Sequence, residues 1–527
     1  MSWELLISSD DFGQRAALLE DGRLADYGQE GVDDADAARV GSIWRGRVSK
    51  VSSGMHAAFV DLGIPGAPQA FLSANELVAA GAKVPGRPDI AGVIKQGSTI
   101  VVQVVREASG SKGPRVSMSP SLTGAYSLLA PFEHTLSGTS RSLPGPDRTR
   151  LRELVPQLEE RAAEQLTSEL AGTRLVPARG FAPGVVLRTS AAGISQEDLE
   201  ADVRLLAARF ARIYRAACAD GGPVCIAEGD GLADRALRRA LACGAEALCV
   251  DDESLRDRLR SLISDLPEAS RPRLTLEHPD PGTDLFTAHG LGNPEESLLG
   301  RVVTLSSGVW LAIDATEALT VIDVNSGHAS SAGGSAKGNR ALGVDLEAAD
   351  EVARQIAARN ITGALVIDFI SLRSTRDRRQ VSARLREALS RLGIQAGVGE
   401  MGSAGLVEVT RRGGAQPLAE QLTQACGCCG APHGELTDQA LFDFFGRKLL
   451  RVLATHVSSK AATVGVGSRL FPLVASPTRD LAALVERRLG MRVWFSELTP
   501  EQWETVRGHA ADPLFADASF EVLSWGR

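Results

Sequence analysis

Residues 320–327 read TVIDVNSG, and residues 361–370 read ITGALVIDFI. Each is a short apolar strand with a carboxylate near its end, Asp323 in the first and Asp368 in the second, and each otherwise reads as buried. A charge in such a place is costly without a partner. Between them, VDLEAADEVARQIAARN sets Leu346, Ala349, Val352, Ala353 and Ile356 on one helical stripe. Strand, helix and strand predict a right-handed crossover and parallel strands in one sheet. Neighbouring strands lie about 4.8 Å apart, so two acids in register would share one hard cation. The expected ion is magnesium on Asp323 and Asp368, with Asn325, two residues on and on the same face, orienting a carboxylate or a substrate phosphate. Magnesium on two carboxylates keeps several waters and polarises a phosphoryl oxygen, which suits phosphodiester hydrolysis. The plainer reading is that strand-end acids cap helices or form ion pairs, and the nearby Asp314 in LAID shows that such acids need not be catalytic. A phosphate loop in GGSAKGN is excluded, because Lys337 is followed by Gly338 and the spacing and hydroxyl of such a loop are missing.

At 527 residues the chain exceeds what one core can serve, and ordinary domain sizes suggest roughly three to five units. With 44% hydrophobic and 23% charged residues it has the composition of folded globular chains. A formal charge of −8 argues against a globally basic nucleic-acid coat and leaves room for local basic grooves. The start, MSWELLISSDDFG, lacks a basic region followed by a long apolar run, and no stretch is long enough to span a membrane, so a cytoplasmic location is expected.

The first 38 residues alternate like a hairpin in need of a partner sheet. From 39 to 125 come short alternating strands broken by Gly and Pro (GSIWRGRVSKVSSGMHAAFVDLG, QAFLSANEL, GSTIVVQVVREASGSKGPRVSMS), the look of a small five-stranded barrel. Residues 126–216 hold a Pro/Gly/Ser-rich stretch, the strand-like GVVLRTSAAG and two long helices, and 217–290 read as α/β. The hairpin, helix and strand around the aspartates occupy 291–412, a cysteine-bearing loop 413–434, and the tail 435–527 reads as a separate small domain.

In the barrel region Phe59 and Phe71 sit near Arg45, Arg47, Lys50, Arg106 and Lys112. Aromatics for base stacking beside cations for phosphates are the working parts of an OB-fold groove for single strands, although each Phe alone reads as core. Arg188 and Thr189 end GVVLRT; a guanidinium fork and a hydroxyl suit a terminal phosphate, and equally an ordinary surface pair. Cys426 and Cys429 form a Cys-x-x-Cys pair with Cys428 and His433 close by, and no second such pair exists. Structural zinc takes four ligands, so either two protomers donate a pair each or one chain uses Cys426, Cys428, Cys429 and His433; a redox pair is the third reading.

Taken together, TEALTVIDVNSG, LEAADEVARQI and GALVIDFI in order, AAFVDLG with AFL, GSKGPR, LRTSAAG and the cysteine knuckle resemble the bacterial ribonuclease E/G family over nearly the whole chain. The resemblance implies a magnesium-dependent endoribonuclease that cuts single-stranded A/U-rich RNA to leave a 5′-phosphate and a 3′-hydroxyl, in rRNA maturation and mRNA decay. It matches Asp323 and Asp368 to the metal-binding acids, Asn325 to the residue assisting them, Arg188 and Thr189 to a 5′-monophosphate pocket, and Phe59, Phe71 and Lys112 to the RNA-gripping barrel. It matches Cys426 and Cys429 to a zinc link joining a homodimer, with small C-terminal domains pairing dimers into a homotetramer. The implied architecture is a multidomain α/β and α+β chain: an RNase H-like subdomain (1–38 and 217–290) interrupted by an OB-fold barrel (39–125) and a 5′-sensor region (126–216), then a DNase I-like catalytic domain (291–412), a zinc-binding link (413–434) and a small α/β oligomerisation domain (435–527).

Three departures from the family pattern stand out. Ser403, Ala404 and Gly405 replace a usual Arg-Phe-Gly, Val344-Asp345 replaces a usual Thr-Asn, and Gly427-Cys428 lies inside the knuckle where Pro and another residue are common. The long Arg- and Pro-rich tail of larger members is not seen, so the short, ribonuclease G-like form is expected. The rival from another class is a catalytically weak RNA-binding protein that keeps the barrel and the assembly regions. A DNA nuclease is disfavoured by the barrel and by Arg188-Thr189.

Overall fold

The computed structural model describes residues 2–526 other than 32–37, 80, 87, 109–112, 141–142, 144, 173–175, 178–179, 265–270, 280–282, 328–336, 413–415, 428, 431–432, 457, 477–478, 509 and 511. They fall in two compact units, Met1–Val32 with Cys243–Arg527, and Asp33–Ala242. Among the described residues no helix is long and apolar enough to cross a membrane.

The first unit opens with Trp3–Asp10 (β1), Gly13–Glu20 (β2) and Arg23–Gly31 (β3), an antiparallel meander. The hairpin read from the sequence is thus extended by a third strand, whose Ala25 and Tyr27 are buried in alternation with more open neighbours.

In the second unit, Ile43–Ser52 (β4), Ala57–Asp61 (β5), Ala70–Ser73 (β6), Thr99–Arg106 (β7) and Arg115–Ser117 (β8) run in the order β4-β5-β6-β8-β7, and β7 pairs back onto β4. This closed five-stranded barrel is OB-like. Alternation fills it: Trp44, Val48, Ala58, Val60, Leu72, Val102, Val104 and Val116 point inward and form one core. After it come Ser127–Ala130 (β9), helix Gly145–Glu169 (α1), Gly184–Leu187 (β10) and helix Gln196–Ala217 (α2). Strands β9 and β10 pair antiparallel, and both helices bury their apolar stripes over them through Leu158, Leu166, Val203 and Phe210. Val224–Ala227 (β11) then pairs antiparallel with β4, and helix Leu232–Ala242 (α3) ends the unit. The stretch 217–290, one α/β region in the sequence, is therefore divided by strand pairing.

The first unit resumes with Ala247–Val250 (β12), Arg273–Leu276 (β13) and the short helix Leu285–Ala288 (α4), which complete a mixed sheet ordered β13-β12-β1-β2-β3. A second sheet follows from Val302–Thr304 (β14), Trp310–Ala315 (β15), Thr320–Asn325 (β16), helix Lys337–Ala358 (α5), Gly363–Asp368 (β17), helix Thr375–Arg391 (α6), Gly397–Val398 (β18) and Leu406–Arg411 (β19). Its order is β14-β15-β16-β17-β19-β18, and β16 and β17 are the expected parallel neighbours. On α5, Ala349, Val352, Ala353 and Ile356 are fully buried. Leu346 is half-buried, and the helix also buries Glu351 and Arg354. Those charges are paired: Arg354 donates to Glu351 at 3.0 Å and to Glu20 of β2 at 3.2 Å. The helix is covered by more than its stripe predicts.

The chain ends with the short strands Thr423–Gln424 (β20) and Glu435–Leu436 (β21), helix Asp438–Ala454 (α7), and Ala461–Val466 (β22), Arg492–Glu497 (β23) and Phe520–Gly526 (β24) in the order β23-β22-β24. Sequence alone suggests a separate tail domain. In the structure Leu441, Phe445, Val464 and Val466 share one core with Leu6 and Phe12 of the meander, and Arg447 on α7 donates to Asp10 at 2.8 Å.

Candidate active site

Strands β16 and β17 bury Ile322, Val324, Leu365 and Ile367 on one face and leave the other open. Asp323 and Asp368 lie on the open face, directly opposite each other in the parallel register. The strands that read as buried on both faces are buried on one, so each carboxylate reaches solvent. Asn325 Nδ2 donates to Asp323 Oδ2 at 2.8 Å and fixes that carboxylate. Like charges directly opposite on adjacent strands repel. Among the described residues Asp368 has no ion-pair partner. Asp314 on β15 behaves differently: Arg301 grips it with two bonds of 2.6 and 2.7 Å, and that contact holds the guanidinium pKa above its usual value. The ordinary fate of a strand-end acid is met at Asp314, while the pair at 323 and 368 offers oxygen ligands that fit a hard divalent cation.

The backbone after Asp368 is pinned from two sides. Phe369 N–H donates to the Gly405 carbonyl at 3.2 Å, and Ser371 Oγ to the Ala404 carbonyl at 3.0 Å. Gly405 has φ +98°, and a Cβ there would collide with the Phe369 carbonyl, so glycine is required. Ser403 and Ala404 are exposed at this turn beside the aspartate strand. From the buried side Asp345 Oδ1 accepts from Ile370 N–H at 3.0 Å, while its Oδ2 is buried without a hydrogen-bond partner. Burial pushes this carboxyl up to about 7. Its hydrogen bond to the segment beside Asp368 depends on the crossover packing and is not visible in the sequence.

On the barrel, Phe59 and Phe71 face each other across β5 and β6 on the outer surface, half-buried, edge to face with ring centres 6.1 Å apart. They are not core residues. In register beside them lie Lys50 on β4, Arg115 on β8 and, next to it, Arg106 on β7. Lys50, Phe59, Phe71, Arg115 and Arg106 thus form one row across the barrel, with Arg115 Cζ 5.9 Å from the Phe71 ring centre. Arg115 is the member that sequence reasoning misses, because only the strand register brings it to the row. Arg45 is drawn away: it donates to the Ala219 and Gly222 carbonyls at 2.7 and 2.8 Å. Lys112 lies outside the described residues.

Arg188 follows β10, and its Nη1 donates to the Gly124 carbonyl at 2.9 Å. That turn is organised by Asp202 of α2, which accepts from the N–H groups of Ala125 and Ser127 at 3.0 and 2.9 Å. Burial, and then the charge of Arg238, lower the pKa of Arg188, while Asp202 and Asp230 oppose them. The guanidinium is therefore half-buried, aimed by its neighbours, and near a second cation that spacing did not reveal. Thr189 begins the turn Thr189–Ala191, and its side chain lies outside the described residues.

Cys426 and Cys429 occupy the loop joining β20 to β21, closed by Gly430 N–H on the Cys426 carbonyl at 2.9 Å. Gly427 N–H donates to Glu435 at 2.8 Å. Cys429 is exposed and Cys426 half-buried. His433 Nδ1 is 2.7 Å from the Thr423 hydroxyl, which ties that ring nitrogen to the hairpin. Cys428 lies outside the described residues.

Residues 121–413 match the model of the Ribonuclease E/G family. The chain is 31% identical to Ribonuclease E of Escherichia coli (strain K12) over 79% of its own length and 37% of the relative's. It is 28% identical to Ribonuclease G of Salmonella typhimurium over 83% and 84% of the two chains, and 27% identical to Ribonuclease G of Haemophilus influenzae over 93% and 96%. The chain spans less than half the length of the ribonuclease E relatives, 37% and 48% of the two matched.

Proposed function

The chain belongs to the ribonuclease E/G family, and from that premise we propose that it is a magnesium-dependent endoribonuclease. It cuts single-stranded A/U-rich RNA to leave a 5′-phosphate and a 3′-hydroxyl, and it acts in the cytoplasm in rRNA processing and mRNA decay. The observation that carries the reading is the pair of open carboxylates in register on parallel strands. Asp323 and Asp368 would hold the ion, and Asn325 keeps the Asp323 carboxylate in place through its 2.8 Å bond. Bound there, magnesium would supply a polarised phosphoryl oxygen and a water of lowered pKa. Substrate grip falls to the barrel row, where bases stack on Phe59 and Phe71 while Lys50, Arg106 and Arg115 neutralise phosphates, with Lys112 added from the resemblance. Arg188 and Thr189 take a 5′-monophosphate. The family architecture set out from the sequence, RNase H-like and DNase I-like parts included, belongs to the same proposal.

Cys426 and Cys429 would hold zinc shared with a second copy, giving a homodimer and, through the C-terminal region, a tetramer. The half-buried and exposed thiols on one tight turn support this. One zinc per monomer, unchanged on dissociation, would contradict it.

The catalytically weak RNA-binder is favoured by one feature, the small exposed pair Ser403-Ala404 beside the Asp368 strand end. The test compares one short A/U-rich RNA carrying a 5′-monophosphate or a 5′-hydroxyl, in magnesium or in EDTA. Cutting that needs magnesium and is faster with the monophosphate is expected. Tight binding without cutting would establish the binder instead.

A further inference from the structure

A second group of metal-ligating side chains lies in the sheet that the inserted unit interrupts. In its parallel register Leu6 of β1 stands opposite Cys249 of β12, and Cys249 opposite Thr275 of β13. Residues two apart along a strand share a face, so Glu4, Cys249 and Glu277, just past β13, all lie on one side of the sheet. Helix α4 packs on that side through Leu285 and Phe286, which are fully buried and share a core with Cys249, and its C-terminal cap is His289. The ligand atoms of Cys249, Glu277 and His289 lie within 4.8 Å of one another. His289 Nε2 is 3.1 Å from Glu277 Oε2, and the opposite ring nitrogen, Nδ1, is 3.9 Å from Glu4 Oε2.

We propose that Cys249 Sγ, a Glu277 carboxylate oxygen and His289 Nε2 form a three-residue site for a zinc-class divalent cation, with Glu4 orienting the imidazole from its far side.

Two ligands at about 2.0–2.1 Å from a tetrahedral ion stand roughly 3.3 Å apart, close to the separation of the His289 nitrogen and the Glu277 oxygen. A donor set of one sulfur, one nitrogen and one oxygen selects zinc or a similar borderline ion over magnesium. The carboxylate beyond the imidazole repeats the second-layer support that metal-bound histidines receive. Cys249 is 1% exposed while Glu277 is open to solvent, so a water on the outer side completes four-fold coordination. The Cys249 sulfur would bind the cation as the thiolate, its proton passing to solvent. The ion would fasten β12, the end of β13 and the cap of α4 to one another, and reach β1 only through Glu4, a structural role separate from the aspartate site.

The test uses the full chain carrying Cys426→Ser, Cys428→Ser and Cys429→Ser, stripped of metal and titrated with Co²⁺ alone. A thiolate-to-cobalt charge-transfer band saturating at one equivalent per chain is expected, and it separates this site from any cobalt on carboxylates. Cys249→Ala abolishes the band, and Glu4→Gln weakens cobalt binding by about 10- to 100-fold. Because Cys249 is in the core, His289→Gln serves as a second variant: it loses the band while its circular dichroism stays that of the parent. Zinc also raises the unfolding temperature of the parent and leaves that of His289→Gln unchanged. No thiolate band in the parent, or a band that survives in either variant, would overturn the proposal.

Discussion

The open face of the sheet around Asp323 and the outer face of the barrel present opposite chemistry on the same kind of surface. The first sets two acids opposite each other and holds one with an amide; the second sets two aromatic rings between cations. Both depend on strand alternation, which turns every second residue outward while the others fill a core. Labour in the proposed nuclease is divided accordingly: fixed oxygen ligands for chemistry, and a tolerant stacking row for grip.

That division is broken most directly at the acids. Asp323→Asn and Asp368→Asn each lower the cleavage rate by about 10²–10³-fold in magnesium, with RNA affinity retained. The double variant is no slower than either single one, because both serve one ion; single-turnover kinetics measure this. Next in size, Phe59→Ala with Phe71→Ala weakens RNA binding at about 1–3 kcal/mol per lost stack. Arg115→Ala lowers the slope of log affinity against log salt by about 1. Binding isotherms at several salt concentrations separate the two effects. Arg188→Ala removes about tenfold of preference for a 5′-monophosphate over a 5′-hydroxyl, read from paired cleavage rates.

A separate effect, on stability and not on RNA, comes from the buried side of the same sheet. Asp345 is wholly buried and its carboxyl is raised to about 7, against an ordinary value near 3.8. The folded chain therefore holds a proton that the unfolded chain has released between those limits. Its contribution to stability is full below about pH 4 and is lost as pH rises through 7. Asp345→Asn escapes this loss, so its advantage in unfolding temperature over wild type grows from pH 4 to pH 7 and then levels off. A constant difference across that range would show that the carboxyl does not titrate there.

The strand, helix and strand around the aspartates were legible because apolar periodicity switches from two to 3.6 and back, and register then followed from the crossover. That the face is open was not legible: Ile322 and Val324 bracket Asp323 in a run that looks buried on both sides, and only the bare outer face of the sheet shows otherwise. Arg115 and Arg45 exchanged roles for a similar reason, since local sequence shows charge and not whether a guanidinium is used by nearby carbonyls. Cys249 lies in a short apolar segment with no ligand-type spacing around it, and its neighbours come from distant segments. Long-range pairing, which no local pattern encodes, is what the sequence withheld.

The decisive measurement is the single-turnover cleavage rate at saturating RNA, taken side by side for wild type, Asp323→Asn and the Phe59→Ala, Phe71→Ala variant in magnesium. The phenylalanine variant is expected to regain nearly the full rate once saturated, while Asp323→Asn stays slow at every RNA concentration. An Asp323→Asn variant that cuts at the wild-type rate would contradict it.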